Sequence, residues 1–152
     1  MRYGISAGAL VILNNRLLLV HHREQGRYDF WVPPGGRVEG AESIFECARR
    51  ETFEETGLTV QPDRIAYIQE FVEPDYHFCK FFILCATCVG DITLENRDAN
   101  EHFLIDARFF AQNQLDELAV YPAILKTQFW NDLESGFPKT RYLGLERIKE
   151  EH

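Results

Sequence analysis

Residues 40–58, GAESIFECARRETFEETGL, constrain the fold more than any other part of the chain. At about 100° per residue, Ala41, Ile44, Phe45, Ala48 and Thr52 share one arc, the stripe by which a helix packs on a core. Gly57 ends the helix predicted over 43–56, because glycine takes the left-handed conformation that follows a helix C-terminus without a Cβ penalty. Glu51, Glu54 and Glu55 fall in the arc beside the apolar stripe. Like charges at i,i+4 repel by roughly 0.2–0.5 kcal/mol on an isolated helix. At the margin of a core they are also partly desolvated, which raises the cost of keeping them charged. A hard divalent cation that takes oxygen ligands, such as Mg²⁺, removes that cost; a solvated acidic helix is the plainer alternative.

The rest of the chain alternates β and α patterns, so the fold class is mixed α/β (α+β). Residues 4–13 and 16–22 are two β-branched and Leu-rich runs around Asn14-Asn15, the signature of a hairpin with a tight turn. FWVPPGG reads as a short strand stopped by Pro33 and Pro34, and LTVQPDRIAYIQEFV and HFCKFFILCATCV as longer strands. FLI is expected to be the last strand, leading to a short helix near 107–112. Tyr121, Ile124, Leu125, Phe129 and Leu133 have near-helical spacing and predict a packing helix over 121–135, closed by Gly136. Residues 137–152 read as an extended tail.

At 152 residues the chain has the length of one domain, 1–152, with one core. A net charge of −8 disfavours nucleic-acid polymers and anionic membranes, whose partners carry basic patches. A small polyanion remains compatible if a divalent cation and a few arginines or lysines offset the field. No run approaches the roughly 18 apolar residues needed to span a bilayer. CATC has C-x-x-C spacing, but inside a strand it puts Cys85 and Cys88 on opposite faces. Together with Cys47 and Cys79 these read as reduced thiols of a cytoplasmic protein.

The flanks of the acidic helix decide between its two readings. GRVEGAESIFECARRETFEETGL fits G-x5-E-x7-R-E-U-x-E-E-x-G-U, where U is aliphatic, with Gly36, Glu42, Arg50, Glu51, Glu54, Glu55, Gly57 and Leu58 on the fixed positions and Thr52 in the first aliphatic one. With each fixed position at roughly 7% by composition, a chance match is on the order of one in a million. The pattern resembles the signature of the Nudix hydrolases, which cleave a diphosphate linkage in a nucleoside diphosphate joined to another group. The order of hairpin, Trp-x-Pro-Pro-Gly-Gly, helix and strands is similar to the family's α/β/α sandwich with a mixed β-sheet.

The resemblance implies that Glu51, Glu54 and Glu55 are the principal ligands of Mg²⁺ (or Mn²⁺), assisted by the main-chain carbonyl of Gly36 or Gly35. It implies that Arg50 and Glu42 support them, Arg50 by orienting a glutamate through a charge-assisted hydrogen bond. A metal at such a site polarises a P–O bond and lowers the pKa of bound water. The general base is often a carboxylate in the loop before a late strand; Glu101 is the best positional match, with Asp98, Glu95 and Glu55 as alternatives. Tyr28, Trp31, Tyr76 and Phe78 are candidates to stack on a base, and Arg23 and Arg27 to reach phosphate, against a default of core packing for the aromatics and solvated side chains for the arginines.

Substrate markers are mixed. In the family, a proline past the box goes with ADP-ribose pyrophosphatases and a tyrosine slightly farther on with dinucleoside polyphosphate hydrolases; EPDYH offers Pro74 and Tyr76. The neighbourhood resembles the ADP-ribose group more closely. ADP-ribose or a nucleotide sugar is the first expectation, diadenosine polyphosphates and nucleoside triphosphates the alternatives, and a catalytically silent nucleotide-binding module the competing class. Helix 121–135 and the RYLG segment are candidate homodimer surfaces.

Overall fold

A computed structural model describes residues 1–148. Its strands are β1 (Arg2–Leu13), β2 (Arg16–Glu24), β3 (Tyr28–Val32), β4 (Gly35–Arg37), β5 (Thr59–Glu73), β6 (Tyr76–Val89), β7 (Leu104–Phe110) and β8 (Arg141–Arg147). Its α-helices are α1 (Ile44–Thr56) and α2 (Gln128–Glu134). The predicted hairpin forms at Asn14-Asn15, where both residues adopt positive φ (51° and 58°), a conformation asparagine tolerates better than other non-glycine residues.

The strands hydrogen-bond in the order β3-β2-β1-β6-β5-β8, with β4 added to β1 and β7 to β2. β1 runs parallel to β6 and β5 parallel to β8, and the other pairings between these strands are antiparallel, so the sheet is mixed as expected. β1 and β2 pair only next to their turn, at Ile12–Leu17 and Leu13–Arg16. Beyond it they diverge, β1 toward β4 and β6 and β2 toward β3 and β7. That divergence opens a cleft between two sheet halves.

α1 covers one face of β1 and β6, burying Cys47 and Ala48 against Ala7, Ala9, Val11, Leu58, Val60, Ile83 and Cys85. The other face packs Leu10, Tyr67 and Phe82 against Leu17, Leu19, Trp31, Leu125, Phe129 and Trp130. Asp132 of α2 accepts hydrogen bonds from Tyr67 Oη (2.7 Å) and from Arg141 Nε and Nη2 (both 2.9 Å), which ties α2 to β5 and β8.

Four expectations change. Residues 107–110 continue β7 rather than forming a helix, because they pair with β2 (Leu17–Phe110, Val20–Ala107) and tertiary pairing overrides local preference. The 121–135 helix is broken: Pro122 precedes a 3-10 turn at Ala123–Lys126, and Thr127 (φ −130°, ψ −99°) leaves helical geometry before α2 begins. β7 is not the last strand, and the supposed tail supplies β8, whose Tyr142 pairs with Ile68; residues 149–152 lie outside the described part. Finally, register shifts at Gln61/Pro62 and Pro62/Arg64 in the β5–β6 ladder interrupt strict alternation, and Cys85 and Cys88 pack on the same cluster as α1. All four cysteines are free.

Candidate active site

α1 is fixed at both ends before it presents its acids. Ser43 Oγ accepts from the Glu46 N–H (3.0 Å) and the Glu46 carboxylate accepts from the Ser43 N–H (3.1 Å), a reciprocal cap that satisfies two otherwise orphaned donors. At the other end Gly57 has φ 78° and its N–H donates to Phe53 O. Between these ends Glu51 is 8% exposed and Glu55 only 1% exposed, while Glu54 is partly open to solvent.

The turn after β3 closes onto these carboxylates. A Cβ at Gly36 would lie 2.5 Å from Glu51 Oε1 and displace that carboxylate, and one at Gly35 would lie 2.4 Å from the carbonyl oxygen of Ala7, where the backbone leaves no room for a side chain. The Gly35 N–H donates to Glu55 Oε2 at 3.1 Å. The Gly36 carbonyl oxygen accepts a thiol hydrogen bond from Cys47 at 3.5 Å. Burial pushes the Cys47 thiol up to about 12, so it remains protonated and inert.

Arg50 links the acids. It binds Glu42 in a two-point fork (Nε–Oε2 3.0 Å, Nη2–Oε1 2.7 Å), and its Nη1 reaches Glu51 Oε1 at 3.0 Å and Glu54 Oε2 at 3.2 Å. Its hydrogen bonds hold the Glu42 carboxyl down at about 2. Arg50 thus contacts Glu42, Glu51 and Glu54 at once and supplies them a local counter-charge.

Glu101 arrives from far along the chain. Asp98 caps a 3-10 turn, Ala99–Glu101, through its Oδ1 and the Asn100 N–H, and Arg97 donates to Leu104 O at the start of β7. Carboxylate oxygens of Glu51, Glu54 and Glu101 come within 4.8 Å of one another. Burial raises the pKa of Glu54, Glu55 and Glu101, and the neighbouring Glu51 carboxylate raises each further. Three converging carboxylate oxygens are a hard donor set that suits Mg²⁺ or Mn²⁺. Glu55 stands outside that trio, buried behind Glu51 on the Gly35 amide.

The cleft holds a cavity of about 690 Å³, lined by aromatic side chains from both sheet halves, including Tyr28, Phe30, Phe71, Phe78 and Tyr121, and by Lys80, which feels the Glu55 and Glu51 charges. Phe71 and Phe78 stack with ring centroids 4.9 Å apart. Tyr28, Phe78 and Arg27 of the sequence candidates line this space. Arg27 is held by Glu24 at 3.0 Å, and exposed Arg23 lies 3.8 Å from Asp29.

Two other candidates are packing residues. Trp31 is 6% exposed within the core, stacked on His21 (4.3 Å) and edge-on to Phe110 (4.8 Å), so no free ring face remains for a base. Tyr76 is buried, stacked on Phe78 and covered by the Arg37 guanidinium 4.5 Å from its ring centre. Pro74 occupies the turn between β5 and β6 and is exposed.

Sequence reasoning missed Lys80 and Gln69, which face each other across the β5–β6 ladder and line the cavity. The available signal was period-two alternation, since Phe78, Lys80 and Phe82 share one face of β6. His22, at the end of β2, stacks on Phe30, and burial, with the Lys80 charge, lowers its pKa to about 4.

The chain thus combines a mixed sheet, a capped acidic helix and a cluster of three carboxylates. The NUDIX domain family model matches residues 2–129, and the chain belongs to that family. It is 42% identical over 67 residues to the m7GpppN-mRNA hydrolase NUDT17 of Danio rerio, covering 41% of this chain and 22% of that protein. It is 30% identical over 71 residues to phosphatase NudJ of Escherichia coli K12, covering 47% of this chain and 46% of NudJ. The match therefore spans less than half the length of either relative. Among solved structures, a mutator MutT protein from Bacillus halodurans superposes with TM-score 0.70 at 21% identity, covering 96% of this chain and 90% of that one. An ADP-ribose pyrophosphatase from Streptococcus suis superposes with TM-score 0.62 at 20% identity over 94% and 98% of the two chains. At these identities the two structures establish the fold.

Proposed function

We propose that the protein hydrolyses the diphosphate linkage of a nucleoside diphosphate derivative with a divalent cation, Mg²⁺ or Mn²⁺, held by Glu51, Glu54 and Glu101. The observation that carries this reading is the convergence of those carboxylates within 4.8 Å; the cavity, whose Lys80 feels the Glu55 and Glu51 charges, is large enough for a nucleoside. Glu55, whose carboxylate accepts from the Gly35 amide, and the Gly36 carbonyl complete the acidic wall. When bound, the cation neutralises the diphosphate, polarises the scissile P–O bond and makes bound water more acidic.

The chain's own groups do the remainder. Arg50 holds Glu51 and Glu54 in place from behind. Glu101 is the proposed general base: it sits on a loop at the metal cluster, and the carboxylate oxygen it does not give to the cation can accept a proton from water. The aromatic cavity takes the nucleoside half, with Phe71 and Phe78 on one side and Tyr28 on the other.

ADP-ribose or a nucleotide sugar is the leading substrate class, supported by the EFVEPDYHF neighbourhood and by the name of the Streptococcus suis structure. The dinucleoside polyphosphate alternative loses its marker, because the Tyr76 ring is covered. A panel of ADP-ribose, UDP-sugars, diadenosine polyphosphates and nucleoside triphosphates with Mg²⁺, with products identified, tests the assignment. Release of AMP from ADP-ribose at the highest kcat/KM is the expected result. Cleavage of none of them would overturn the enzymatic reading in favour of a silent binding module.

The same reading covers a single domain over 1–152 in the cytoplasm. No helix among the described residues is long and apolar enough to cross a membrane. Of the segments considered for a homodimer, α2 buries Phe129 and Trp130 within the chain, whereas RYLG lies on the edge strand β8 and leaves Tyr142 exposed.

A further inference from the structure

Lys80 points from β6 into the cleft, between Phe78 and Phe82 on the same face. Its stem crosses Gly8 of β1, where a Cβ would lie 3.2 Å from Lys80 Cε. The ladder partner of Gly8 is Gly35, whose amide holds Glu55. The ammonium group therefore lies where the carboxylate wall meets the aromatic cavity, and it feels the Glu55 and Glu51 charges.

Two cations line the cavity. Arg27 is committed to Glu24 at 3.0 Å. Among the described residues Lys80 has no carboxylate within 4.0 Å, and its only close partner of note is the Phe82 ring, 5.3 Å from Nζ. Across the rung, Gln69 Oε1 is buried without a hydrogen-bond partner, so the two polar groups do not satisfy each other. Lys80 is half-buried and its ammonium has no carboxylate partner among the described residues, so an anion placed against it gains a charge-assisted contact.

We propose that Lys80 is a phosphate-binding residue, whose ammonium takes a non-bridging oxygen of the substrate's diphosphate on the nucleoside side of the scissile linkage. This rests on the cleft being the nucleotide site proposed above. It gives the diphosphate a fixed contact independent of the metal and separates the metal-bound phosphate from the nucleoside pocket. The competing role, that Lys80 merely balances Glu51 and Glu55, predicts a different response.

Calorimetric binding of AMP, UMP, adenosine and uridine to wild type, Lys80→Met and Lys80→Gln, each in EDTA and in Mg²⁺, separates the two. A charge-assisted contact corresponds to about tenfold to a hundredfold in affinity. The expected result is a loss of that size for the monophosphates in both variants and both conditions, with nucleoside binding unchanged; retained nucleoside binding also certifies the fold. Unchanged monophosphate affinity, equal losses for nucleoside and monophosphate, or no monophosphate preference in the wild type would each overturn the proposal. Because no turnover is measured, these outcomes are independent of the substrate panel.

Discussion

Replacing Arg50 with methionine tests how the acidic helix survives without a cation. Arg50 makes its fork to Glu42 at 2.7 and 3.0 Å and single contacts to Glu51 and Glu54 at 3.0 and 3.2 Å. Its side chain is 23% exposed and those of Glu42 and Glu51 are 15% and 11% exposed, so solvent screens these pairs only in part. Removing one partner of a buried pair costs about 3–5 kcal/mol; with partial exposure, the lower end of about 3 kcal/mol applies. For a chain of this length, 1 kcal/mol moves Tm by about 2–4 °C, so Arg50→Met should lower Tm in EDTA by about 6–12 °C. Lysine keeps a charge but not the fork and should recover part of the loss. A divalent cation bound by the same carboxylates replaces the missing positive charge, so saturating Mg²⁺ should narrow the difference between variant and wild type. Thermal unfolding in EDTA and in Mg²⁺ measures both quantities. A variant within 1–2 °C of wild type in EDTA, or a difference that widens with Mg²⁺, would refute the reasoning.

Two further outcomes follow from the same geometry. Glu55 has its pKa raised well above the ordinary carboxylate value by burial and by Glu51, so its stabilising contribution is full below the unfolded value of about 4.3 and is lost as pH rises through the folded value. Glu54 and Glu101 act in the same direction, whereas Glu42, held at about 2, weakens the fold only as pH falls toward that value. Metal-free protein should therefore lose Tm as pH rises above about 5, and Glu55→Gln should flatten the profile; an unchanged profile would contradict the assignment. Gly36→Ala places a Cβ 2.5 Å from Glu51 Oε1. It should destabilise the protein by about 1–3 kcal/mol and weaken Mn²⁺ binding, read by denaturant unfolding and metal titration; wild-type values in both would remove Gly36 from the site.

Much of this site is legible in the sequence because it is local. Gly36, Glu42, Arg50, Glu51, Glu54 and Glu55 lie within twenty residues on β4, the loop after it and α1, and helical spacing orders the last four. Glu101 is harder, since its place at the cluster depends on the Asp98 cap and the pairing of β7 with β2, contacts that no short window contains. Lys80 and Gln69 were passed over for a different reason: a lysine inside an aromatic strand looks like an outward-facing residue until alternation is counted from Phe78 and Phe82. Trp31 and Tyr76 show the reverse error. Aromatic residues near loops suggest stacking surfaces, but partners from distant segments, Phe110 for Trp31 and Arg37 for Tyr76, occupy their faces. The C-terminal strand was illegible because β8 is a parallel edge strand whose ladder partner among the described residues is β5, a contact remote in sequence.

The central claim is that Glu51, Glu54 and Glu101 form one divalent-cation site. Electron paramagnetic resonance titration of Mn²⁺ into metal-stripped wild type, Glu51→Gln/Glu54→Gln and Glu101→Gln measures it without any assumption about substrate. The account predicts saturable Mn²⁺ binding in the wild type, near-complete loss in the double variant and weakening in Glu101→Gln. Mn²⁺ binding that is absent from the wild type, or undiminished in the double variant, would contradict it.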